Sequence, residues 1–225
     1  MKLFLPLFLS VFFGLNTFAQ QAQFYFEPDS IGITVASDVV DAPAELEIHS
    51  TAAADVTIKW QRYVLSMTGG CLTKVCDLNV CYPETFNSRE FVISPNQTGP
   101  ISVHLVNNTG NLCQGVVRLD MWNVEDADPI IVPCYFLFNA TTSVNEIFKL
   151  DEVKVYPNPA TEYFTIENDN VARIRMTTLD AREVAAFDAT QTKTFSLAGQ
   201  TAGMYVLVME DAKGKAIGVA QLDVK

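Results

Sequence analysis

The chain has few basic residues and very little histidine. Its 225 residues include 15 Lys and Arg against 26 Asp and Glu, so the formal net charge is −11, and there are two histidines. Nucleic-acid binding needs clustered Lys and Arg to neutralise phosphates, so we expect no nucleic-acid partner. Two histidines also leave little room for histidine-based catalysis or a histidine-rich metal site.

The sequence also lacks the common catalytic motifs. It contains no G-x-S-x-G, no Gly-rich phosphate loop and no H-E-x-x-H. We therefore predict that the protein is not an enzyme and needs no cofactor. The acidic residues Glu125, Asp126 and Asp128 form a possible Ca²⁺ loop. Since EF-hand spacing is absent, a solvated turn is the preferred interpretation of these residues.

Long apolar runs are missing except at the N-terminus. Lys2 precedes an apolar run that reaches Leu15, and small residues, Thr17 and Ala19, follow at the −3 and −1 positions of a cut before Gln20. This pattern is typical of a secretory signal peptide, and the run is short for a membrane span. We predict a signal peptide at residues 1–19 and Sec export to the periplasm.

Cysteine is absent from residues 135–225, whereas the preceding part of the chain has five. Outside the cytoplasm thiols pair, so structural disulfides are expected. Neither histidine lies near the Cys71–Cys81 run in sequence and there is no C-x₂-C pair, which disfavours zinc. Because five cysteines cannot all pair internally, we also expect a free thiol or an intermolecular bridge. The disulfide candidates are Cys71, Cys76, Cys81, Cys113 and Cys134.

Residues 20–140 show period-two alternation and no convincing helical period. For example, Val117, Leu119 and Met121 alternate with Arg118 and Asp120, which predicts one buried and one solvated face. Turn residues separate the runs, so we predict an all-β, immunoglobulin-like sandwich. The predicted strands are Phe24–Phe26, Gly32–Val35, Ala44–His49, Val56–Leu65, Glu90–Ser94, Ile101–Val106, Val116–Trp122 and Ile130–Phe138.

A polar connection at 141–152 leads to a second set of strands in residues 153–225. Seven strands in about 70 residues would make a small β-sandwich, too compact for an enclosed substrate pocket. The fold class is therefore two β-sandwich domains after a signal peptide. The seven predicted strands are Val153–Tyr156, Tyr163–Glu167, Ala172–Leu179, Glu183–Phe187, Thr194–Leu197, Met204–Met209 and Ile217–Val224.

The second sandwich has an ordered set of motifs. It opens with V-Y-P-N-P at Val155, continues with M-T-T-L-D-A-R-E-V at Met176 and A-G-M-Y-V-L-V at Ala202, and ends at a lysine. Residues 153–225 thereby resemble the type A C-terminal sorting domain of type IX secretion cargo from Bacteroidetes. The family's usual Asp-x-x-Gly-Lys is replaced by Asp180-Ala181-Arg182-Glu183, which should alter that turn. The motif residues are Pro157, Asn158, Pro159, Gly203, Tyr205 and Lys225.

The resemblance implies a route of export. The sorting domain would be read by the outer-membrane translocon after Sec export to the periplasm. A sortase-like peptidase would then remove the domain within the 140–153 connection, and the passenger would be attached to surface lipopolysaccharide or released. The expected location is thus the outer cell surface or the medium, and the domain is a signal rather than a catalyst.

The passenger, residues 20–140, has a less specific resemblance. Trp60 and the block Cys76–Tyr82 are similar to a β-domain of secreted Bacteroidetes proteins, which favours a Cys76–Cys81 bridge. Cys71, Cys113 and Cys134 then compete for one more bridge. We expect a non-enzymatic binding or structural module for an unknown extracellular ligand, with the loops Ser66–Asn87 and Asn107–Gly115 available for recognition. The alternative is a small extracellular hydrolase or a Ca-dependent carbohydrate-binding module.

Overall fold

The structure is a computed structural model that describes residues 22–141, 146–148 and 153–225. Within these ranges all regular secondary structure is β-strand, which confirms the predicted all-β class. No helix in the described ranges is long and apolar enough to cross a membrane. The predicted signal peptide at 1–19 lies outside the described residues.

The strands fall into an N-terminal region, β1–β11, and a C-terminal region, β12–β18. The N-terminal strands are β1 (Phe24–Glu27), β2 (Ser30–Ala36), β3 (Asp41–Ser50), β4 (Val56–Met67), β5 (Cys71–Cys76), β6 (Cys81–Tyr82), β7 (Ser88–Ile93), β8 (Thr98–Asn107), β9 (Gly115–Asn123), β10 (Val132–Thr141) and β11 (Glu146–Phe148). The C-terminal strands are β12 (Lys154–Tyr156), β13 (Tyr163–Glu167), β14 (Arg173–Thr178), β15 (Glu183–Asp188), β16 (Thr194–Ser196), β17 (Gly203–Glu210) and β18 (Ala216–Val224).

The N-terminal region is a sandwich of two sheets. One sheet has the order β1-β3-β8-β5-β6 and the other β11-β2-β10-β9-β4-β7. Pairing is antiparallel except for β2 with β10, which run parallel. Period-two alternation sends one face of each strand inward. The largest fully buried side chains of this core include Trp60, Leu46, Ile58, Phe136 and Leu119.

Three N-terminal strands were not expected from the sequence. β5 and β6 lie within Ser66–Asn87, so the interpretation of that whole segment as a loop is wrong. The inward side chains of β5 are Cys71, Thr73 and Val75, of which only the last is strongly apolar, so the alternation is hard to see in the sequence. β11 lies within the predicted 141–152 connection and pairs antiparallel with β2.

The C-terminal region has the seven strands that the sequence predicts. They form one sheet of order β12-β13-β16 and another of order β15-β14-β17-β18. Phe164, Phe187 and Phe195 pack together between the sheets with ring centroids 5.2–5.6 Å apart. The small sandwich therefore has its own aromatic core.

The two regions pack against each other through a shared apolar cluster. The sequence predicts that Arg118 and Asp120 of β9 face solvent, and this expectation is wrong, since they are only 1% and 8% exposed. The reason is that β17 and β18 cover that face of the sheet. The buried residues of this cluster are Leu65, Val116, Tyr135 and Leu137 from the N-terminal region and Val206, Val208 and Ala216 from the C-terminal region.

Candidate functional site

The Pro157-Asn158-Pro159 loop lies against the last strand of the chain. Asn158 Nδ2 donates to the Gln221 carbonyl at 2.9 Å, and Asn158 Oδ1 accepts from the Asp223 backbone N–H at 2.9 Å. The Asn158 amide thus satisfies two backbone groups on the open edge of β18, as a neighbouring strand would. Both X–Pro bonds of the loop, Tyr156–Pro157 and Asn158–Pro159, are cis.

The remaining motif residues meet at the same end of the sheet. Gly203 begins β17 opposite Val224 with φ of 150°, a conformation that residues with a Cβ rarely adopt. Tyr205 is buried, and its hydroxyl donates to the Thr201 carbonyl at 2.7 Å. The backbone N–H of Lys225 donates to the Ala160 carbonyl at 2.8 Å. Three separate sequence motifs therefore form one continuous surface.

This motif end stays accessible although the neighbouring face of the sheet is covered. Pro157, Asn158, Pro159, Gly203 and Lys225 are all exposed, whereas Val206 and Val208 of the same sheet are fully buried against the N-terminal region. A partner can therefore reach the motif residues while the two regions remain packed together.

The turn that departs from the family pattern keeps a left-handed residue. Ala181 has φ of 67° between β14 and β15, and its backbone N–H donates to the Thr178 carbonyl at 3.0 Å. The Thr178 backbone N–H in turn donates to the Arg182 carbonyl at 2.9 Å. An alanine thus occupies the kind of conformation for which glycine is suited.

Hydrogen bonds join the two regions around the apolar cluster. Asn139 Nδ2 donates to the Ala216 carbonyl and Asn139 Oδ1 accepts from the Ala216 N–H, both at 3.0 Å. Arg175 Nη2 donates to Ser66 Oγ at 3.0 Å, and Arg118 Nη2 donates to the Leu179 carbonyl. Since Asn139 is buried, its loss would leave the Ala216 backbone groups without water to replace it.

The structure pairs Cys71 with Cys113 and Cys76 with Cys81. Cys134 is the free cysteine of the described residues, and it is fully buried in β10. Burial raises the pKa of its thiol well above the usual value, with a further contribution from Asp120 and Asp29. A neutral, buried thiol is poorly placed to form an intermolecular bridge.

The Cys71–Cys113 bridge joins the two segments that the sequence singles out for recognition. Thr68 and Gln114 add hydrogen bonds beside the bridge, at 2.9 Å from Thr68 N to the Gln114 carbonyl and 3.1 Å from Gln114 N to Thr68 Oγ1. Arg62, buried in β4, donates to the Glu84 carbonyl at 2.6 Å. These contacts fix both segments on one sandwich.

Two of the three acidic residues considered for Ca²⁺ have hydrogen-bond partners within the protein. Glu125 Oε1 accepts from Thr57 Oγ1 at 3.3 Å, and Asp126 Oδ1 accepts from Asn123 Nδ2 at 3.2 Å. Across the described ranges, the one group of three candidate metal-ligand atoms within 4.8 Å consists of Cys76, Cys81 and His104, and its sulfurs are joined as a disulfide. Glu125, Asp126 and Asp128 do not form such a group.

A polar cluster on the outer face of the β3-β8-β5 sheet was not found from the sequence. His104 Nδ1 lies 2.7 Å from Asp41 Oδ1, and His104 Nε2 lies 3.1 Å from Ser102 Oγ and 3.4 Å from Cys76 Sγ. Lys74 also forms an ion pair with Asp41. Partial burial acts to raise the pKa of Asp41, but the hydrogen bonds from Lys74 and His104 outweigh it and lower the pKa.

The C-terminal region is a small β-sandwich whose accessible end gathers the motif residues. Residues 154–219 match the family described as the secretion system C-terminal sorting domain. This match covers less than a third of the chain, and it confirms the resemblance to type IX secretion cargo. The chain thus carries a sorting domain for the type IX machinery and is exported as secreted or surface cargo. A comparison with curated proteins finds no match.

Solved structures similar to the chain are distant. They include PapD-like domain 7 of human CEP192, with 9% identity, coverage of 60% of this chain and 99% of that chain, and a TM-score of 0.37. The N-terminal domain of PorA has 10% identity, 51% and 89% coverage and a TM-score of 0.38. The YadV chaperone has 8% identity, 89% and 100% coverage and a TM-score of 0.36. Scores this low do not assign the function of any of these proteins to this chain.

Proposed function

We propose that the chain is a non-enzymatic binding or structural module that the type IX system delivers to the cell surface or the medium. A signal peptide at 1–19 directs Sec export to the periplasm, residues 20–140 are the passenger, and residues 153–225 are the signal that the translocon reads. A sortase-like peptidase cuts the 141–152 connection, after which the passenger is attached to surface lipopolysaccharide or released.

The observation that supports this export route is the convergence of the motif residues on one accessible end of the C-terminal region. The Pro157-Asn158-Pro159 loop, Gly203 and Lys225 come from distant parts of the sequence, yet the edge of β18 brings them together. Because these residues come together only in the folded domain, a translocon that recognises them would have to read the folded domain rather than a linear peptide.

Export can be tested with one truncation and two matched point variants in a bacterium that has the type IX system. Deleting 153–225 should trap the passenger in the periplasm. Asn158→Ala should reduce export, because it removes the bonds that hold the loop to β18, while the exposed neighbour Thr161→Ala should not. Fractionation and immunoblotting measure the outcome. A truncated chain that still reached the medium would show that the sorting proposal is wrong.

The proposed binding role of the passenger is supported by the bridge between its two recognition segments. Cys71–Cys113 holds them at one edge of a rigid sandwich, where Leu72 and Leu112 are 36% and 46% exposed. Preorganised segments lose little conformational entropy on binding.

The mature chain should therefore bind a glycan array or whole cells. Leu112→Asp should weaken that binding about tenfold, and Val92→Asp, on the opposite sheet, should not.

One observation favours the alternative role of a small extracellular hydrolase. His104 contacts both Ser102 and Asp41. In a hydrolase these three residues would serve as the nucleophile (Ser102), the general base (His104) and the acid that orients the base (Asp41). However, Ser102 is only 5% exposed, and β8 is paired on both sides by β3 and β5. Its neighbouring backbone N–H groups thus belong to the sheet, which leaves them poorly placed to stabilise an oxyanion. For this reason we propose the binding role.

A fluorophosphonate probe distinguishes the two roles directly. The binding role predicts that Ser102 is not labelled and that Ser102→Ala leaves the background hydrolysis of p-nitrophenyl esters unchanged. Labelling of Ser102, together with ester hydrolysis that Ser102→Ala abolishes, would establish the hydrolase.

A further inference from the structure

The two disulfides of the N-terminal region lie in different surroundings. Cys71 and Cys113 are 6% and 2% exposed and face the core. Cys81, by contrast, is exposed at the edge strand β6, and Cys76 is the more buried member of its pair. An external thiol can therefore approach the Cys76–Cys81 bridge from the Cys81 side, while the other bridge is shielded from it.

His104 is oriented toward the Cys76 sulfur. The Asp41 carboxylate accepts hydrogen bonds only, so the His104 Nδ1 that lies 2.7 Å away must carry the hydrogen. The opposite ring atom, Nε2, lies 3.4 Å from Cys76 Sγ and 3.1 Å from Ser102 Oγ. A protonated ring would thus donate its second hydrogen toward Cys76 Sγ, and Asp41 would stabilise the positive charge.

We propose that Cys76–Cys81 is an exchangeable disulfide, opened by an external thiol that attacks Cys81 while Cys76 leaves as a thiolate stabilised by His104. The thiolate of the partner forms a bond to Cys81 Sγ, the Cys76–Cys81 bond breaks, and its electron pair goes to Cys76 Sγ. The proton lost by the partner thiol is taken up at His104 Nε2, which then donates a hydrogen bond to the Cys76 thiolate. The products are a mixed disulfide on Cys81 and a Cys76 thiolate paired with the protonated His104 ring.

The hairpin that carries the two cysteines is held independently of the bridge. The Asp77 backbone N–H donates to the Val80 carbonyl at 3.1 Å, and Asp77 Oδ1 accepts from the Asn79 N–H at 2.9 Å. Trp60 Nε1 in the core donates to Asp77 Oδ2 at 3.0 Å. After reduction the two sulfurs therefore stay close, so the bridge can form again and the exchange is reversible.

The charges around His104 on this outer face are mixed. Asp41 and Glu45 come from β3, with Glu45 in register with Ser102, and Lys74 comes from β5, in register with His104. Asp41 is the group in contact with the ring, on its Nδ1 side. Lys74 lies two residues from Cys76 on the same face of β5, and its positive charge favours a thiolate at Cys76. Asp41 is thus a positioning residue that acts through His104.

The first test uses the unmodified mature chain with reduced glutathione as the probe. After quenching, unmodified thiols are alkylated and the cysteine peptides are quantified by mass spectrometry. Cys76–Cys81 should exchange at least about tenfold faster than Cys71–Cys113, and glutathione should be found on Cys81. Equal rates for the two bridges, or an adduct mainly on Cys76, would overturn the proposal.

The second test measures the pH profile of Cys76 alkylation in the reduced protein. His104→Gln should move this profile to higher pH, Asp41→Asn should move it in the same direction, and the matched control His49→Gln should not move it. His49 is suitable because it lies on the same sheet and bonds Thr98 without touching a cysteine. Circular dichroism checks that each variant is folded. An unchanged profile in folded His104→Gln would show that His104 does not stabilise the thiolate.

Discussion

The N-terminal and C-terminal regions are both β-sandwiches, but they hold their chains in different ways. The N-terminal region uses two disulfides, one that joins β5 to the segment between β8 and β9 and one across the β5–β6 hairpin. The C-terminal region has no cysteine, and it fixes its end with side-chain and backbone hydrogen bonds to β18 from Asn158 and Ala160. The disulfides thus allow the N-terminal region to hold the two segments proposed for recognition. The C-terminal region instead has short turns, and hydrogen bonds hold its motif residues against β18.

The largest effects are expected from substitutions that disrupt the hydrophobic core of one region at a time. Phe136→Ala in β10 and Phe164→Ala in β13 each remove a fully buried ring and should cost about 3–5 kcal/mol in the free energy of unfolding. Both tryptophans, Trp60 and Trp122, lie in the N-terminal region, so their fluorescence reports on that region alone. In urea titrations, Phe164→Ala should shift the circular dichroism transition more than the fluorescence transition. Equal shifts would mean that the two regions unfold as one unit.

The two disulfides should differ in their contributions to stability. Cys71–Cys113 closes a sequence separation of 42 residues, and its replacement by two alanines should cost about 4 kcal/mol. Cys76–Cys81 closes a separation of five, and the same change should cost about 2 kcal/mol. Chemical denaturation followed by tryptophan fluorescence measures both values. A larger loss from the short bridge would contradict the chain-entropy account and assign the hairpin a structural role.

Two asparagines that bind the backbone of β18 provide a finer comparison. Asn139→Ala at the buried contact between the regions should cost about 1–3 kcal/mol, because it leaves two buried backbone groups unpaired. Asn158→Ala at the exposed end should cost about 0.5–1.5 kcal/mol, since water can replace the amide. Thermal denaturation of both variants beside the control Thr161→Ala gives the values, and a smaller loss at Asn139 would contradict this ranking.

The smallest effect is expected at the turn between β14 and β15. Ala181→Gly should stabilise the C-terminal region by about 0.5–1 kcal/mol, because glycine adopts the φ of 67° without steric cost. The shift should appear in the circular dichroism transition and not in tryptophan fluorescence. A destabilised variant would show that the contact of the Ala181 methyl group with the shared cluster outweighs the backbone strain.

The strands that the sequence predicts well are those with strong alternation. In the C-terminal region β13 is of this kind, whereas β17 is a nearly continuous apolar run with five consecutive buried residues, and the motif order identified the region. β5 was missed because Cys71 and Thr73 on its inner face are less apolar than Leu72 on its outer face. Local periodicity shows which face is more apolar, and it fails where polar side chains are buried by hydrogen bonds or disulfides.

Contacts between strands that are distant in sequence could not be predicted from the sequence. Period two assigns Arg118 to an outer face, but it cannot reveal that a second region covers that face. Asp41 and His104 are 63 residues apart, and their contact depends on the register of β3 with β8. The partners of His104 could therefore be identified only once the sheet order was known.

The Asn139–Ala216 contact has a consequence for the timing of maturation. Asn139 precedes the proposed cut site and Ala216 follows it, so cutting the backbone in 141–152 does not separate the two parts. The product is a nicked complex held by the apolar cluster and by the Arg118 and Arg175 hydrogen bonds. Its dissociation half-life, rather than the rate of peptide hydrolysis, then decides when the β9 face of the passenger meets solvent or a new neighbour.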